Sequence, residues 1–445
     1  MTMRSRALIC AFTTALLASP ASATDGTPTP RGEGWLVKSY RDVQPSAMRP
    51  NGRNEMAALK AIAAKRTAAD IARIRWWATG GPAYRWNEII LDEMQESFVT
   101  LPTSARHLAL FHTAIDDAMA AAAHSNGTAN RSDELDMALR AAPRSASSPS
   151  QHAAAATAAA AVLGYLFPAR AEKFSAMAEE AMQMRLTGGM EYPSDVAAGR
   201  MIGERIAALA IERGKADRSD AKWTGSVPQG PGRWQGTNPI APMAGTWQPW
   251  VLSSPSEFRP AEPPAVDSAE VASALKELKS FARTPKSNHR AVFWEVNGGA
   301  RAHTLWNEIA RMKLLEHGTN AATASRVLAA VNIALIDAGI ACWEAKYTFW
   351  YVRPTQLDPE LKSVFPPPNH PSYPAAHGCF STAAATVLAT VFPSDRDRLL
   401  ALGKEAAEAR IWAGIHYRFD IDAGQEIGRR VGERTLERAF AARTH

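Results

Sequence analysis

Two basic residues in the C-terminal half stand at a spacing that could hold an anion. Lys346 and Arg353 lie seven residues apart, which places them on one helical face, two turns from each other. Pro354 restricts the backbone before it, so the helix is predicted to end ahead of Arg353. A solvated pair of charges is the alternative. Four aromatic residues lie between the two cations, so we expect the cations to border packing surface and to bind a buried anion.

A histidine follows a proline-rich segment at the predicted start of the next helix. Pro374 suits the first position of a helix, and the N–H groups that follow it can face an anion. His377 lies three residues further along, where a helix cap or a surface side chain is the alternative to a role in the site. His370, seven residues earlier in the proline-rich segment, is expected to be a surface histidine, and a role in modulating the pocket is the alternative.

A third stretch combines an arginine with a histidine and a carboxylate. His416 and Asp420 are spaced i, i+4, so both side chains fall on one helical face. Asp420 can hold one ring nitrogen and leave the other as a nucleophile or ligand. Arg410 adds a cation six residues before the histidine. A surface salt bridge between His416 and Asp420 is the alternative.

The chain contains an internal repeat. Residues 149–213 align without a gap on residues 374–438, and 24 of the 65 aligned pairs are identical. An upstream block, residues 108–122, aligns on residues 328–342 at a slightly different offset. A repeat this long indicates a duplicated domain rather than a solenoid.

The first copy lacks two of the residues that the second copy could use for chemistry. It retains Pro149, His152, Arg185 and Asp195 at the positions of Pro374, His377, Arg410 and Asp420. Glu191 stands where the second copy has His416, and Asn126 stands where it has Lys346. A carboxylate in place of the imidazole would repel an anion, so the first copy is expected to be a scaffold.

Both copies have the pattern of amphipathic helices. Apolar residues recur at steps of three and four, as in Leu108, Phe111, Ile115 and Met119, and strand signals are scarce. We therefore predict an all-α fold of two duplicated helical bundles packed together. The predicted units are a signal peptide over 1–23, an N-terminal bundle over 24–222, a Trp/Pro-rich connector over 223–290, and a C-terminal bundle with the anion site over 291–445.

Composition limits where the protein acts and what it binds. The chain has 445 residues, of which 46% are hydrophobic and 21% charged, which is typical of a globular protein. A basic start, an apolar stretch and the small residues Ala21 to Ala23 predict an export signal and a periplasmic or secreted protein. Without Arg4 and Arg6, 48 basic residues face 44 acidic ones, a balance that does not favour nucleic acid. No membrane span is expected, and the sequence leaves open whether copies assemble into a homo-oligomer.

Two cysteines remain after removal of the signal peptide with Cys10. Cys342 and Cys379 could form one bridge in an oxidising compartment or stay as buried free thiols.

Taken together, the three stretches resemble the signature of the vanadium-dependent haloperoxidase and type 2 phosphatidic acid phosphatase superfamily. The matching patterns are Lys346-x6-Arg353-Pro354, Pro374-Ala-Ala-His377 and Arg410-x5-His416-x3-Asp420. The region before Lys346 and the stretch from Trp247 to Pro264 look like the soluble, two-bundle haloperoxidase branch.

The resemblance implies a role for each motif residue. Lys346, Arg353 and Arg410, with the backbone of Ala376, would hold the oxygens of a vanadate cofactor. His416 would be the metal ligand, and His377 would act as acid and base while hydrogen peroxide oxidises a halide.

Two other functions stay open. In an acid phosphatase, His416 would form a phosphohistidine with a phosphate ester, Asp420 would orient it, and His377 would protonate the leaving group. In a non-catalytic protein, the pocket would only bind an oxyanion.

One departure from the superfamily pattern affects all three hypotheses: the haloperoxidase, the acid phosphatase and the non-catalytic binding protein. Ala375-Ala376 replaces the usual Ser-Gly ahead of the motif histidine. Loss of a hydroxyl donor to a charged group is expected to weaken oxyanion binding by roughly 1–2 kcal/mol.

Overall fold

Helices make up all the regular structure in the described part of the chain. In the computed structural model of the protein, the described residues are 28, 30, 32–45, 52–124, 149–300 and 302–441. The predicted signal peptide and Asn126 lie outside these ranges. No strand occurs within them; the only β pairings there are isolated bridges, Pro30 with Phe440 and Arg233 with Tyr351. The predicted all-α class is confirmed.

Fifteen α-helices are seen in these ranges. The first seven are α1 (Gly52–Ala63), α2 (Ala68–Ala78), α3 (Pro82–Glu96), α4 (Thr103–His124), α5 (Gln151–Leu166), α6 (Ala171–Thr187) and α7 (Pro193–Ala216). The other eight are α8 (Ala269–Ser280), α9 (Pro285–Trp294), α10 (Ala302–Glu316), α11 (Ala321–Phe349), α12 (Pro354–Leu357), α13 (Ala376–Val391), α14 (Arg396–Ala413) and α15 (Arg418–Ala439). A π-helical turn, Glu295–Ala300, follows α9.

The duplication is visible in the packing of equivalent helices. In the first copy α5 packs on α7, and in the second copy α13 packs on α15. A Cβ at Gly203 would lie 2.5 Å from the carbonyl oxygen of Ala154, and one at the equivalent Gly428 would lie 2.4 Å from that of Cys379. Both copies therefore require glycine where these helices approach each other.

The structural repeat begins earlier than the sequence comparison found. Arg73 of α2 pairs with Glu180 of α6, and Arg290 of α9 pairs with Glu405 of α14 in the same way. The helices α8 and most of α9 also fall inside the range 223–290 that was assigned to a connector. Extended segments, turns and the short 3-10 helix Ala244–Thr246 occupy that range only as far as residue 268.

The two halves share a buried polar contact at their interface. Asn87 of α3 donates to Asn307 of α10 over 2.7 Å, and Asn307 exchanges hydrogen bonds with Asn332 of α11 over 2.9 and 2.8 Å. His112 of α4 lies 2.8 Å from Asn87. All four side chains are fully buried, so this contact fixes the register of the halves.

The long helix α11 lies at the centre of the molecule. It packs against α4, α13 and α15. Among the described residues it is the one helix long and apolar enough to cross a membrane by length and composition, which the sequence analysis did not identify. Its most apolar window is 94% buried inside the protein, as in a core helix. Its C-terminal turn brings Lys346 beside the start of α13.

Candidate active site

The motif residues converge at the N-terminus of α13. Lys346 comes from the end of α11, Arg353 from the residue before α12, and Arg410 from the end of α14. Their three side chains are at most 1% exposed. The other motif side chains are also buried; they are His377, His416 and Asp420. Helix ends that are distant in the sequence thus bring all six together.

A cavity of about 200 Å³ opens over this cluster. Ala376, His377, Arg410 and His416 are among the residues that line it. Within the described chain, Lys346 and Arg353 do not line the cavity.

His416 is held from both sides by groups that determine its tautomer. Its Nδ1 lies 2.8 Å from Oδ2 of Asp420, and its Nε2 lies 3.0 Å from Nη1 of Arg353. A guanidinium can only donate, so Nε2 accepts and the ring hydrogen is on Nδ1, facing the carboxylate. Burial, with Arg353 and Lys346 nearby, holds the pKa of His416 well below 6.5. The neutral ring therefore keeps an electron pair on Nε2.

Asp420 is fixed by further donors. Its Oδ2 accepts from the hydroxyl of Ser372 over 2.6 Å and from the backbone N–H of Tyr417 over 3.1 Å. Burial raises its pKa to about 6. Ser372 was not predicted as a site residue, although it lies in the same short segment as Pro374.

Arg353 connects His416 to the proline-rich segment. Its Nε donates to the carbonyl of His370 over 3.0 Å, and its Nη2 lies 3.1 Å from Nδ1 of the same histidine. The expectation that His370 is a surface residue is wrong: it is 6% exposed and lines the cavity. The sequence could not show the burial of His370, because its contact with Arg353 joins residues that lie 17 positions apart in a stretch with no regular spacing.

Lys346 has a different arrangement from the other cations. Its ammonium donates to the carbonyls of Pro371, Ser372 and Pro374 over 2.8, 2.8 and 2.5 Å. An ammonium has three hydrogens, so the segment before α13 uses all of them. Burial lowers the pKa of Lys346 to about 8. In this state the lysine holds the loop and is not directed at the cavity.

Arg410 pairs with a carboxylate that the sequence analysis missed. Its Nη1 donates to Glu295 over 2.5 Å, and its Nη2 donates to the carbonyl of Ala291 over 3.1 Å. Glu295 opens the π-helical turn and also lines the cavity. Among the described residues, the buried Nε of Arg410 has no hydrogen-bond partner. No motif marks Glu295, so only the structure identifies it.

His377 is oriented by the end of α9. Its Nε2 donates to the carbonyl of Trp294 over 2.9 Å. Burial, with Arg410 nearby, keeps the pKa of His377 well below 6.5, so the ring is neutral and Nδ1 can take up a proton.

The start of α13 also provides backbone donors. Ala375 is its N-cap residue and has no polar side chain with which to cap the N–H groups of the first turn. In the first copy, Ser150 caps the equivalent helix by accepting from Ala153 over 3.0 Å.

In the first copy a carboxylate of the chain itself occupies the equivalent position. Arg185 donates to Glu191 over 3.1 Å, and Ser150 hydrogen-bonds the same carboxylate. Both charged side chains are at most 2% exposed. An internal anion therefore takes the place that His416 has in the second copy.

The cluster as a whole fits a small tetrahedral oxyanion. Its donors are the unpaired Nε–H of Arg410 and the N–H groups at the start of α13, while the electron pair on Nε2 of His416, which now accepts from Arg353, faces the central atom of such an anion rather than its oxygens. Fixed donors of this kind stabilise an anion in a buried pocket. The two cysteines beneath the site are both free and buried.

The model of the PAP2 superfamily matches the chain twice, over residues 109–217 and 325–436. The two matches correspond to the two copies of the repeat.

Curated relatives with local similarity are acid phosphatases. The non-specific acid phosphatase of Providencia stuartii is 35% identical over 56 residues, and that of Salmonella typhi is 37% identical over 57 residues. The matched stretch covers 13% of this chain and 23% of each relative, so the chain spans about a quarter of their length.

Solved structures with the same fold cover most of the chain. A bacterial vanadium-dependent iodoperoxidase superposes with a TM-score of 0.63 at 22% identity, covering 82% of this chain and 98% of that one. The holo form of a bacterial vanadium-dependent chloroperoxidase gives 0.56 at 17% identity, covering 75% and 89%.

Proposed function

The chain belongs to the PAP2 superfamily, and we propose that within it the protein is an exported, vanadium-dependent haloperoxidase-like enzyme. It would oxidise a halide with hydrogen peroxide at a vanadate bound over the start of α13. The observation that carries this proposal is the arrangement of Arg353, His416 and Asp420, which leaves an electron pair on Nε2 of a buried, neutral imidazole.

The residues of the pocket have distinct tasks in this proposal. His416 would bind the vanadium through Nε2, which requires Arg353 to turn its N–H from the imidazole to an oxygen of the anion. Arg410 would donate from Nε, and Ala376 from its backbone N–H. Bound vanadate would supply the centre at which peroxide is activated for halide oxidation.

His377 would handle the protons. Its Nε2 is committed to the carbonyl of Trp294, so the exchangeable proton would be taken up and released at Nδ1. A nearby dianion would raise the pKa of this buried ring, because it offsets the cation and the burial that now lower it.

The extent of the structural likeness favours haloperoxidase chemistry. The two-bundle layout is shared over 82% of the chain with the iodoperoxidase, whereas the acid phosphatases match only over a short segment.

Acid phosphatase activity is the second candidate, and the local identity of 35–37% to acid phosphatases favours it. The same electron pair on His416 could attack phosphorus and form a phosphohistidine, while Asp420 stabilises the charged ring. His377 would then protonate the leaving oxygen.

One experiment separates the candidates. The purified protein, loaded with vanadate, is given hydrogen peroxide and bromide or iodide with a dye that accepts halogen; a parallel sample receives para-nitrophenyl phosphate without vanadate. Halogenation that depends on vanadate supports the haloperoxidase. Phosphate release without halogenation contradicts the haloperoxidase proposal and supports the acid phosphatase.

His416→Ala is the control for both assays. If the wild type and this variant bind vanadate and phosphate equally and neither turns over a substrate, the catalytic proposal is wrong. Export is tested separately by fractionating cells and determining the N-terminus of the protein: a start at Thr24 in the periplasm or medium is expected, and a protein that keeps residues 1–23 would contradict it.

A further inference from the structure

Part of the cavity is lined by apolar side chains that a small inorganic anion does not need. Leu101, Ile240, Trp343 and Phe380 form this apolar part of the lining, which is called the mouth from here on, and they share the cavity with Arg410, His377 and His416. Water, hydrogen peroxide and phosphate are strongly hydrated and gain little from contact with such walls, whereas an organic group gains the free energy of removing apolar surface from water.

Ile240 is exposed although its backbone is firmly held. Its N–H donates to the carbonyl of Asn369 over 2.9 Å. Its carbonyl accepts from Nε1 of Trp343 over 3.1 Å and from the hydroxyl of Tyr347 over 2.6 Å. The side chain is nevertheless 39% exposed. Three hydrogen bonds thus hold an apolar side chain in place at the cavity, which is the construction of a binding surface.

Part of the cavity lining comes from the first half of the chain. Thr100 and Leu101, in the loop between α3 and α4, line the cavity beside residues of the second half. Phe98, two residues before Thr100, is 79% exposed, and Val296, next to the lining residue Glu295, is 48% exposed. The first half, in which Glu191 takes the position of His416, supplies part of the second half's site.

We propose that the mouth formed by Leu101, Ile240, Trp343 and Phe380 binds a compact apolar group of aryl size on the organic substrate, directly above the oxyanion. This specificity site rests on the proposed function, because it requires an oxyanion on the floor of the cavity. A cavity of about 200 Å³ accommodates one tetrahedral anion and one ring of this size.

Three oxyanions test the proposal without turnover. Binding of inorganic phosphate, methylphosphonate and phenylphosphonate is measured by calorimetry on the full-length protein. Phenylphosphonate is expected to bind about tenfold more tightly than methylphosphonate, because its ring loses contact with water at the mouth. Equal affinity of the two phosphonates, with phosphate or vanadate still bound, overturns this inference and leaves the proposed function standing. Failure to bind phosphate and vanadate would instead overturn the proposed function.

Paired variants assign the preference to the mouth. Ile240→Ser keeps the backbone hydrogen bonds and is expected to reduce the preference for phenylphosphonate about fivefold, with phosphate affinity unchanged. Leu315→Ser, at a side chain that is 44% exposed on α10, is the matched control and should leave the preference intact. An unchanged preference in Ile240→Ser, with an unfolding temperature close to that of the wild type, would contradict the assignment.

Discussion

Arg353 donates a hydrogen bond from Nη1 to Nε2 of His416 over 3.0 Å. The partner of Nδ1 on the other side of the ring is Asp420, at 2.8 Å. The ring is thereby held in one tautomer and one orientation before any ligand arrives. Preorganisation of this kind lowers the cost of binding an anion.

Replacing Asp420 by asparagine should lower the affinity for vanadate without abolishing binding. The amide no longer stabilises a positive charge on His416, and its NH₂ group competes for the wrong side of the ring. We expect vanadate affinity and turnover to fall by about 10–100-fold, the usual effect of removing an outer partner of a metal ligand. Vanadate titration and the halogenation assay measure this. Asp422→Asn, at an exposed residue on the same helix, is the control and should leave both values unchanged.

Restoring the hydroxyl at position 375 should improve the site. Ser150 shows in the first copy how a serine at this position caps the helix. Ala375→Ser is expected to stabilise the fold by about 1 kcal/mol and to tighten vanadate or phosphate binding about tenfold. Urea unfolding and calorimetry provide the two values. If the free energy of unfolding rises but the anion binds more weakly, the new hydroxyl points away from the cavity.

Each chain should bind one oxyanion. Glu191 already pairs with Arg185 in the first copy, so the only receptive cluster in the described chain is that around His416. Titration with vanadate is expected to saturate at one equivalent. His152→Gln should leave this stoichiometry unchanged, and His416→Ala should remove the binding. A second equivalent that disappears in His152→Gln would contradict the scaffold role of the first half.

Loss of the Lys346 ammonium should lower the stability of the fold more than it impairs anion binding. Lys346→Met removes the ammonium donor from three buried carbonyls of the segment 371–374. The carbonyl of Pro374 keeps its contact with Sγ of Cys342 and that of Pro371 its contact with Nδ1 of His370, so only the carbonyl of Ser372 is left unpaired. A buried acceptor without a partner costs about 1–3 kcal/mol, and the free energy of unfolding should drop by at least that much. Urea denaturation measures it. A variant with wild-type stability but no vanadate binding would show that the ammonium faces the anion instead.

The burial of His370 should make the protein sensitive to acid. Burial, with Lys346 and Arg353 nearby, holds its pKa well below 6.5 in the folded protein, whereas in the unfolded chain the ring takes up a proton below pH 6.5. Protonation therefore favours the unfolded state as the pH falls. His370→Gln removes this uptake, so its loss of unfolding free energy between pH 7 and 5 should be smaller than that of the wild type by about 2 kcal/mol. The same pH dependence in both proteins would place His370 in contact with water.

Several features of the site could be predicted from the sequence. His416 and Asp420 are close because four residues of chain bring them together, and Pro374 places His377 at the start of a helix. The repeat identified the first half as the altered copy, and its Glu191–Arg185 pair agrees with that reading. By contrast, the repeat over α2 and α9 was missed because only scattered residues, such as Arg73 and Arg290, are shared there.

The sequence by itself, through its three motifs and their resemblance to the superfamily, indicated which basic and imidazole side chains meet, and helix spacing and proline placed His416 beside Asp420 and His377 at a helix start. Only the tertiary structure decided which of their hydrogen-bonding atoms face the cavity. Lys346 is occupied by the carbonyls of another segment, Arg410 keeps one unpaired donor beside Glu295, and Leu101 of the first half completes the mouth. These outcomes depend on loops that approach through space, and local spacing contains no information about such contacts.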